Sequence, residues 1–207
     1  MTLTAHEVNE LKKAPAHDRI LPVVLHRWSP RSFADRDVNP ADLKTIFEAV
    51  RWTPSSFNEQ PWRYFVGIRG SETYQKILQS LGEFNQAWAR SAPVLILNAT
   101  KATFSHNDSP NVVAVYDLGA SAATLVYQAW ALGLFTHQMA GYDREVARKL
   151  LNVPDGYTFG AAMALGYQGE PSALGHERFI AQEVAPRQRK ALSEFVLADW
   201  GVPADLG

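Results

Sequence analysis

Arginine and serine side chains are concentrated in one short segment, Arg27 to Phe33, which reads Arg-Trp-Ser-Pro-Arg-Ser-Phe. Guanidinium groups form charge-assisted hydrogen bonds of defined geometry with a phosphate, and serine hydroxyls add further donors. The segment could instead be a solvated surface loop whose arginines pair with Asp35 and Asp37. Its composition therefore makes it a candidate anion site.

A second polar segment, Pro54 to Trp62, reads Pro-Ser-Ser-Phe-Asn-Glu-Gln-Pro-Trp and follows the first after one predicted helix. Its small polar groups lie directly before a predicted strand, where they could contact a flat heteroaromatic ring. The alternative is a proline-bracketed connector with an asparagine turn. Together the two segments suggest a bound phosphorylated cofactor.

Composition limits the classes of partner. The 207 residues, 46% hydrophobic and 20% charged, suffice for one domain with a sizeable core. A net charge of −1 leaves no basic field for nucleic acid or an anionic membrane. The chain has no cysteine, and Met1 to Lys13 show no secretory pattern. We therefore expect a cytoplasmic protein that binds neither nucleic acid nor membrane.

Several motifs of catalysis are absent from the sequence. No Gly-x-Gly-x-x-Gly follows a strand and no Gly-Lys-Ser/Thr loop is present, which argues against a classical dinucleotide fold and a P-loop. There is also no Gly-x-Ser-x-Gly and no His-Glu-x-x-His. The six histidines show no metal-ligand spacing, so we expect no metal site.

Alternating helix and strand signals surround the two polar segments. Capping residues and apolar periodicity predict helices that begin at Asn39, Ser71, Asn111 and Asp143. Aromatic, β-branched or small apolar runs predict strands at Trp62 to Ile68, Pro93 to Asn98 and Phe159 to Tyr167. The sequence therefore predicts one α+β or α/β domain over residues 1–207.

The helix predicted from Asn111 to Leu132 is apolar nearly all round. This pattern predicts a buried helix whose polar seam finds hydrogen-bond partners on a neighbouring helix or subunit. The seam consists of Asp117, Ser121, Thr124 and Gln128. After Pro171 the periodicity weakens, and the apolar residues of 171–207 favour docking on a partner over covering the domain's own edge.

In this order, the motifs resemble the flavin-dependent nitroreductase family, from about Val24 to Trp200. The matching elements are Arg27-x-Ser29-x-Arg31-x-Phe33, Pro54-Ser55-Ser56-x-Asn58-x-Gln60-Pro61-Trp62, Asn85 before Ala92-Pro93-Val94, and Arg187-x-Arg189 before Leu192-x-Glu194. The resemblance implies a nitroreductase-like α+β fold with a central, mostly antiparallel sheet flanked by helices. It also implies an intertwined homodimer that holds one non-covalent FMN per subunit at its interface, with 171–207 contacting the partner subunit.

The resemblance assigns cofactor-binding roles to particular residues. The flavin phosphate would be clamped by Arg27, Ser29, Arg187 and Arg189. Arg31 and Asn85 would face the pyrimidine edge of the ring. Contacts across the interface would come from Pro54, Ser55, Ser56 and Asn58, and main-chain contacts near N5 from Met139, Ala140 and Gly141. Two positions depart from the family pattern, because Ala140 replaces a common glutamate and Trp88 stands where some members carry a lysine.

The implied activity is reduction of electron-poor small molecules, such as nitroaromatics and quinones, by NADH or NADPH in a ping-pong hydride mechanism. No side chain is expected to act as catalytic acid or base, because the flavin carries the chemistry. Aromatic residues could shape the acceptor slot or simply pack in the core: Phe57, Phe84, Trp88, Phe104 and Tyr142. Reductive dehalogenation, oxygen-dependent consumption of reduced flavin and a non-enzymatic flavin carrier remain alternatives.

Overall fold

The computed structural model describes residues 3–15 and 19–207, in which helices surround a small sheet. The helices are α1 (Ala5–Lys12), α2 (Pro22–His26), α3 (Pro40–Arg51), α4 (Glu72–Ser80), α5 (Glu83–Ala89), α6 (Ala114–Ala131), α7 (Arg144–Leu151) and α8 (Glu177–Val184). The strands are β1 (Trp62–Ile68), β2 (Val94–Lys101), β3 (Phe135–Met139), β4 (Tyr157–Gly166), β5 (Leu197–Asp199) and β6 (Val202–Pro203).

The central sheet has the strand order β1-β2-β4-β3, and every neighbouring pair is antiparallel. The hairpin β5-β6 forms a separate two-stranded sheet in the tail. This architecture confirms the α+β fold with an antiparallel sheet and helices around it. Among the described residues, no helix combines the length and the apolar character needed to cross a membrane.

Strand β2 divides two hydrophobic clusters. Its side chains alternate between the faces of the sheet, so Leu95 and Leu97 join one cluster while Val94 and Ile96 join the other. Helices α4 and α5 contribute to the first cluster, and α3 and α6 contribute to the second. Helices therefore cover both faces of the central strands.

Helix α3 sets the spacing between the two polar segments. Asn39 caps it by accepting a hydrogen bond from the amide of Ala41 at 2.9 Å, and Pro40 occupies its first turn. The helix ends at Arg51, and the chain then reaches β1 through the loop before Trp62. The predicted helix and strand around the second segment are thus confirmed.

Helix α6 differs from its prediction. Its inner face is buried, but Val115 and Tyr116 lie 59% and 79% exposed on the outer face. In the single chain the helix is therefore not buried on most faces, because no element within residues 3–15 and 19–207 covers the outer one. The polar seam bonds within the same chain, where Ser121 meets Tyr64 at 2.7 Å and Thr124 meets Thr53 at 2.9 Å.

The first part of the tail also differs from the aperiodic segment that the sequence suggested. Helix α8 buries Phe179 in the first hydrophobic cluster and leaves Glu183 only 1% exposed. These two residues lie four positions apart and share one helix face. The chain up to Val184 is therefore part of the domain's own packing, whereas nearly all of 188–207 is exposed.

Candidate functional site

Three arginines from two distant parts of the sequence line one cavity of about 430 Å³. Arg27 follows α2, and Arg187 and Arg189 follow α8. The other described lining residues are Ala14, Pro15 and Val24, so this part of the wall carries no acidic side chain. The sequence prediction that these three arginines converge agrees with this geometry.

The arginine cavity carries an unbalanced positive charge. Burial lowers the pKa of Arg27, and the neighbouring Arg189 lowers it further. Burial likewise lowers the pKa of Arg187, with Arg27 and Arg189 adding to the effect. Because the three cations repel one another in a partly dehydrated space, a bound anion would stabilise all of them. The donors present fit a phosphate group.

Arg31 lies outside the lining of this cavity and faces an aromatic side chain. Its guanidinium carbon is 5.9 Å from the ring centroid of Trp88, and its Nε is buried without a hydrogen-bond partner. The indole N–H of Trp88 is also buried and unpartnered. Neither donor is therefore satisfied by any of the described residues. Ser29, between Arg27 and Arg31, is exposed and does not line the arginine cavity.

His137 packs against Trp88, with the two ring planes tilted by 44°. The two ring centroids are 4.5 Å apart, and Nδ1 of His137 lies 3.0 Å from the carbonyl oxygen of Pro30. Burial, with a smaller contribution from Arg31, lowers the pKa of His137 to about 4. The imidazole is therefore neutral near pH 7, and Nδ1–H donates to Pro30. No pattern in the sequence predicts this contact with Trp88 and Pro30, since His137 is an isolated histidine.

Asn85 and Gly141 meet beside this pair of rings. The side-chain amide of Asn85 donates to the carbonyl oxygen of Gly141 at 2.9 Å, as does the backbone amide of Gly82 at 3.0 Å. A Cβ on Gly141 would lie 2.7 Å from Nδ2 of Asn85, so the Asn85 side chain would have to move if residue 141 were not glycine. Asn85 lies one turn before Trp88 on α5, so the two side chains are on the same side of this helix.

The main chain after β3 presents the remaining predicted contacts. Met139 ends the strand and is 4% exposed, whereas Ala140 and Gly141 are exposed immediately after it. Backbone groups at this turn are accessible, while the Met139 side chain belongs to the core. The structure thus brings Asn85 and the 139–141 turn together, with Arg31 near Trp88.

The predicted loop residues Pro54, Ser55 and Ser56 line a different cavity, of about 420 Å³, against the outer face of α6. Ser56 anchors this loop by donating its amide to the carboxylate of Asp117 at 3.1 Å. Asn58 lies in the same loop, but not in that lining. Within one chain, these four residues are therefore not brought into the arginine cavity.

This loop carries unusual backbone conformations. Phe57, Asn58 and Gln60 have φ angles of 52°, 53° and 50°, a region that residues other than glycine seldom adopt. Such strain concentrates at functional sites. Phe57 is 84% exposed and packs edge-on against Phe104, with ring centroids 5.6 Å apart.

The aromatic candidates for an acceptor slot divide into two groups. Phe57 and Phe84 are exposed and Phe104 is partly exposed. Trp88 and Tyr142 are 2% and 7% exposed and belong to the core, where the Tyr142 hydroxyl donates to the carbonyl oxygen of Gly160. For these two residues, the packing alternative is the one that the structure supports.

Comparison with known proteins agrees with this geometry. The model of the nitroreductase family matches residues 24–84 and 71–167. A protein of Archaeoglobus fulgidus, provisionally named NADH dehydrogenase/NAD(P)H nitroreductase, is 26% identical over 154 residues, covering 72% of this chain and 86% of its own length. An NADH dehydrogenase of Thermus thermophilus is 29% identical over 183 residues, covering 73% and 88%.

Solved structures share the fold. A crystal structure described as an oxidoreductase containing FMN has a TM-score of 0.78 and 31% identity, covering 84% of this chain and 89% of the other. A provisionally named nitroreductase of Desulfovibrio desulfuricans, solved in complex with FMN, has a TM-score of 0.68 and 24% identity, covering 89% and 98%. Because the family model spans more than half of the sequence, the chain belongs to the nitroreductase family.

Proposed function

We propose that this protein is an FMN-dependent oxidoreductase that uses NADH or NADPH to reduce electron-poor small molecules such as nitroaromatics and quinones. The observation that carries the proposal is the cavity lined by Arg27, Arg187 and Arg189 in a member of this family. Three convergent guanidinium groups suit a phosphate monoester, which carries close to two negative charges near neutral pH.

Two groups of residues would hold the cofactor. Arg27, Arg187 and Arg189 would bind the phosphate, with Ser29 as a further donor from the same segment. Arg31 would face the pyrimidine edge of the ring, and among the described residues its Nε has no hydrogen-bond partner. The remaining proposed contacts are those of Asn85, Met139, Ala140 and Gly141.

The chemistry would belong to the cofactor, and the protein would orient it. When bound, FMN supplies the ability to take a hydride from a nicotinamide and pass two electrons to an acceptor. The fixed charge of Arg31 would stabilise negative charge that develops on a neighbouring group. No side-chain acid or base is required by this scheme.

We further propose that the site is completed in a homodimer. Pro54, Ser55, Ser56 and Asn58 lie away from the arginine cavity of their own chain and beside the uncovered face of α6. A second copy packed on that face would bring this loop towards the partner's cofactor. Residues 171–207 are proposed to contact the same partner, because their exposed apolar side chains include Phe195 and Trp200.

The proposal is tested with the purified protein. We expect a yellow sample with flavin absorption bands, and oxidation of NADH or NADPH that depends on an added nitroaromatic or quinone. A colourless protein that takes up no FMN would contradict the cofactor assignment. Flavin reduction without acceptor turnover would contradict the reductase assignment and favour a flavin carrier. Release of halide from a halogenated substrate would indicate reductive dehalogenation, and consumption of oxygen would indicate oxygen-dependent use of the reduced flavin.

A further inference from the structure

The Arg27–Ser32 segment is held through its backbone by a buried carboxylate. The amide of Arg31 lies 3.0 and 2.9 Å from the two carboxylate oxygens of Glu183, and the amide of Ser32 donates to Oε1 at 3.0 Å. Glu183 is 1% exposed and lies on α8, more than 150 positions later in the sequence. Its oxygens therefore fix two adjacent peptide groups of the segment.

A second side chain of the same C-terminal region holds the other end of the segment. The guanidinium of Arg187 donates through one NH₂ group to the carbonyl oxygen of Arg27 at 2.6 Å, and through the other to that of Leu25. Glu183 thus binds amides and Arg187 binds carbonyls of one continuous stretch. Side chains four positions apart determine the path of residues 25–32.

We propose that Glu183 and Arg187 are positioning residues that set the selectivity for a phosphate-bearing flavin by fixing residues 25–32. The inference rests on the proposed function, because it takes the arginine cavity as the phosphate site. Glu183 is not among the described residues that line this cavity, so its carboxylate acts through the backbone that carries Arg27 and Arg31.

The sign of the expected effect separates positioning from simple electrostatics. A carboxylate repels a phosphate, so a purely coulombic role would make FMN bind more tightly once the charge is removed. A positioning role gives the opposite result. In Glu183→Gln the amide of Arg31 loses one of its two acceptor oxygens, and the remaining bonds lose their charge assistance, so the arginines lose their alignment. Burial raises the pKa of Glu183 although the two amides donate to it, because removing the carboxylate from water costs free energy.

The test compares FMN with riboflavin, which lacks the phosphate. The full chain is freed of flavin, and both dissociation constants are measured by quenching of flavin fluorescence. For Glu183→Gln we expect the preference for FMN over riboflavin to fall about tenfold, the effect of losing a charge-assisted hydrogen bond. Riboflavin affinity should stay within about twofold. Glu177→Gln removes the same charge from the exposed first turn of α8 and should leave both constants unchanged.

Arg187→Lys provides an independent test. Lysine retains the positive charge but lacks the planar fork that reaches two carbonyl oxygens. We expect the same loss of FMN preference, also about tenfold. If a positive charge alone mattered, this variant would retain the wild-type preference, and the bridging role of Arg187 would be overturned.

The outcomes distinguish the inference from the proposed function. A wild-type protein that binds neither flavin overturns the proposed function and this inference with it. A wild-type preference for FMN that Glu183→Gln preserves or increases overturns the inference alone, as does an equal loss of both flavins. If Glu183→Gln does not fold, Glu183→Asp decides between the same alternatives. Aspartate keeps the charge but is one methylene shorter, so a positioning role predicts a loss of FMN preference, and an unchanged preference overturns the inference.

Discussion

At the scale of single residues, Arg31, Trp88 and His137 form one cluster beside the proposed cofactor contacts. Trp88 places a neutral aromatic ring between the other two side chains. Its face lies 5.9 Å from the guanidinium carbon of Arg31 and 4.5 Å from the centroid of His137. Arg31 is consequently the single cation of this cluster, because His137 is neutral near pH 7.

Arg27 is the residue whose removal tests the phosphate cavity most directly. Arg27→Ala should weaken FMN binding by about 1.5 to 3 kcal/mol, because a charge-assisted contact is lost. The measurement is a fluorescence titration of flavin-free protein. Arg90→Ala is the matched control, since Arg90 is exposed and its side chain bonds only the carbonyl oxygen of Gln86 among the described contacts. Equal FMN affinity in wild type and Arg27→Ala would remove Arg27 from the site.

His137 predicts a loss of stability in acid. Because burial lowers its folded-state pKa to about 4, the unfolded chain binds a proton between pH 6.5 and pH 4 that the folded chain excludes. The free energy of unfolding therefore falls as pH falls through this window, by on the order of 3 kcal/mol from His137. Urea unfolding of wild type and His137→Gln should show a smaller acid loss in the variant. Parallel pH profiles would contradict the assignment.

The residue-scale comparison shows what sequence could predict. Arg27, Arg187 and Arg189 were predicted to converge because their order and spacing match a family motif. Glu183 could not be found in this way, because its partners are the backbone amides of Arg31 and Ser32, and every residue except proline carries such an amide. Its role follows only from the three-dimensional path of the chain.

At the scale of elements, capped helices and central strands were predicted well. Asn39, Ser71 and Asp143 each accept hydrogen bonds from the first turn of their helices, as their residue types predict. The short elements α5 and β3 were missed, since seven and five residues are too few for a clear periodic signal. These two elements carry Trp88 and His137, so part of the site was missed with them.

Gly67 tests the contact between β1 and α4. A Cβ at this position would lie 2.4 Å from the Cα and 2.5 Å from the backbone N of Tyr74, neither of which a rotamer change can relieve. Gly67→Ala should therefore lower the free energy of unfolding by about 1 to 3 kcal/mol. Urea denaturation measures the change. The control is Ile68→Thr at the adjacent, exposed position, where one β-branched residue replaces another. It should change the free energy of unfolding by less than about 1 kcal/mol.

At the scale of the whole molecule, exposed apolar side chains are concentrated on α6 and the tail. Val112, Tyr116 and Trp200 are 90%, 79% and 94% exposed. Large exposed apolar patches mark interaction surfaces in soluble proteins. A homodimer would cover this surface, and it would account for the position of the Ser55–Asn58 loop.

Tyr116→Asp tests this assembly. The wild-type protein should elute as a dimer in size-exclusion chromatography with light scattering, and the variant should shift towards monomer because a charge cannot be buried cheaply at an apolar interface. The amount of flavin bound per chain, measured by absorbance, should decrease as the dimer fraction decreases. Gln75→Glu on the exposed face of α4 is the control. A wild-type monomer that retains full flavin content would refute the shared site.

The bonds from Arg187 to the carbonyl oxygens of Leu25 and Arg27 join residues 162 and 160 positions apart. A ribosome adds about 5 to 20 residues per second, so Arg27 is made roughly 8 to 32 seconds before Arg187 exists. During that interval, the nascent chain carries Arg27, the first arginine of the cavity, without the Arg187 side chain that holds its carbonyl group. Whatever ligand the cavity holds is therefore captured only after translation has passed residue 189, when the later-made segment closes over the earlier one.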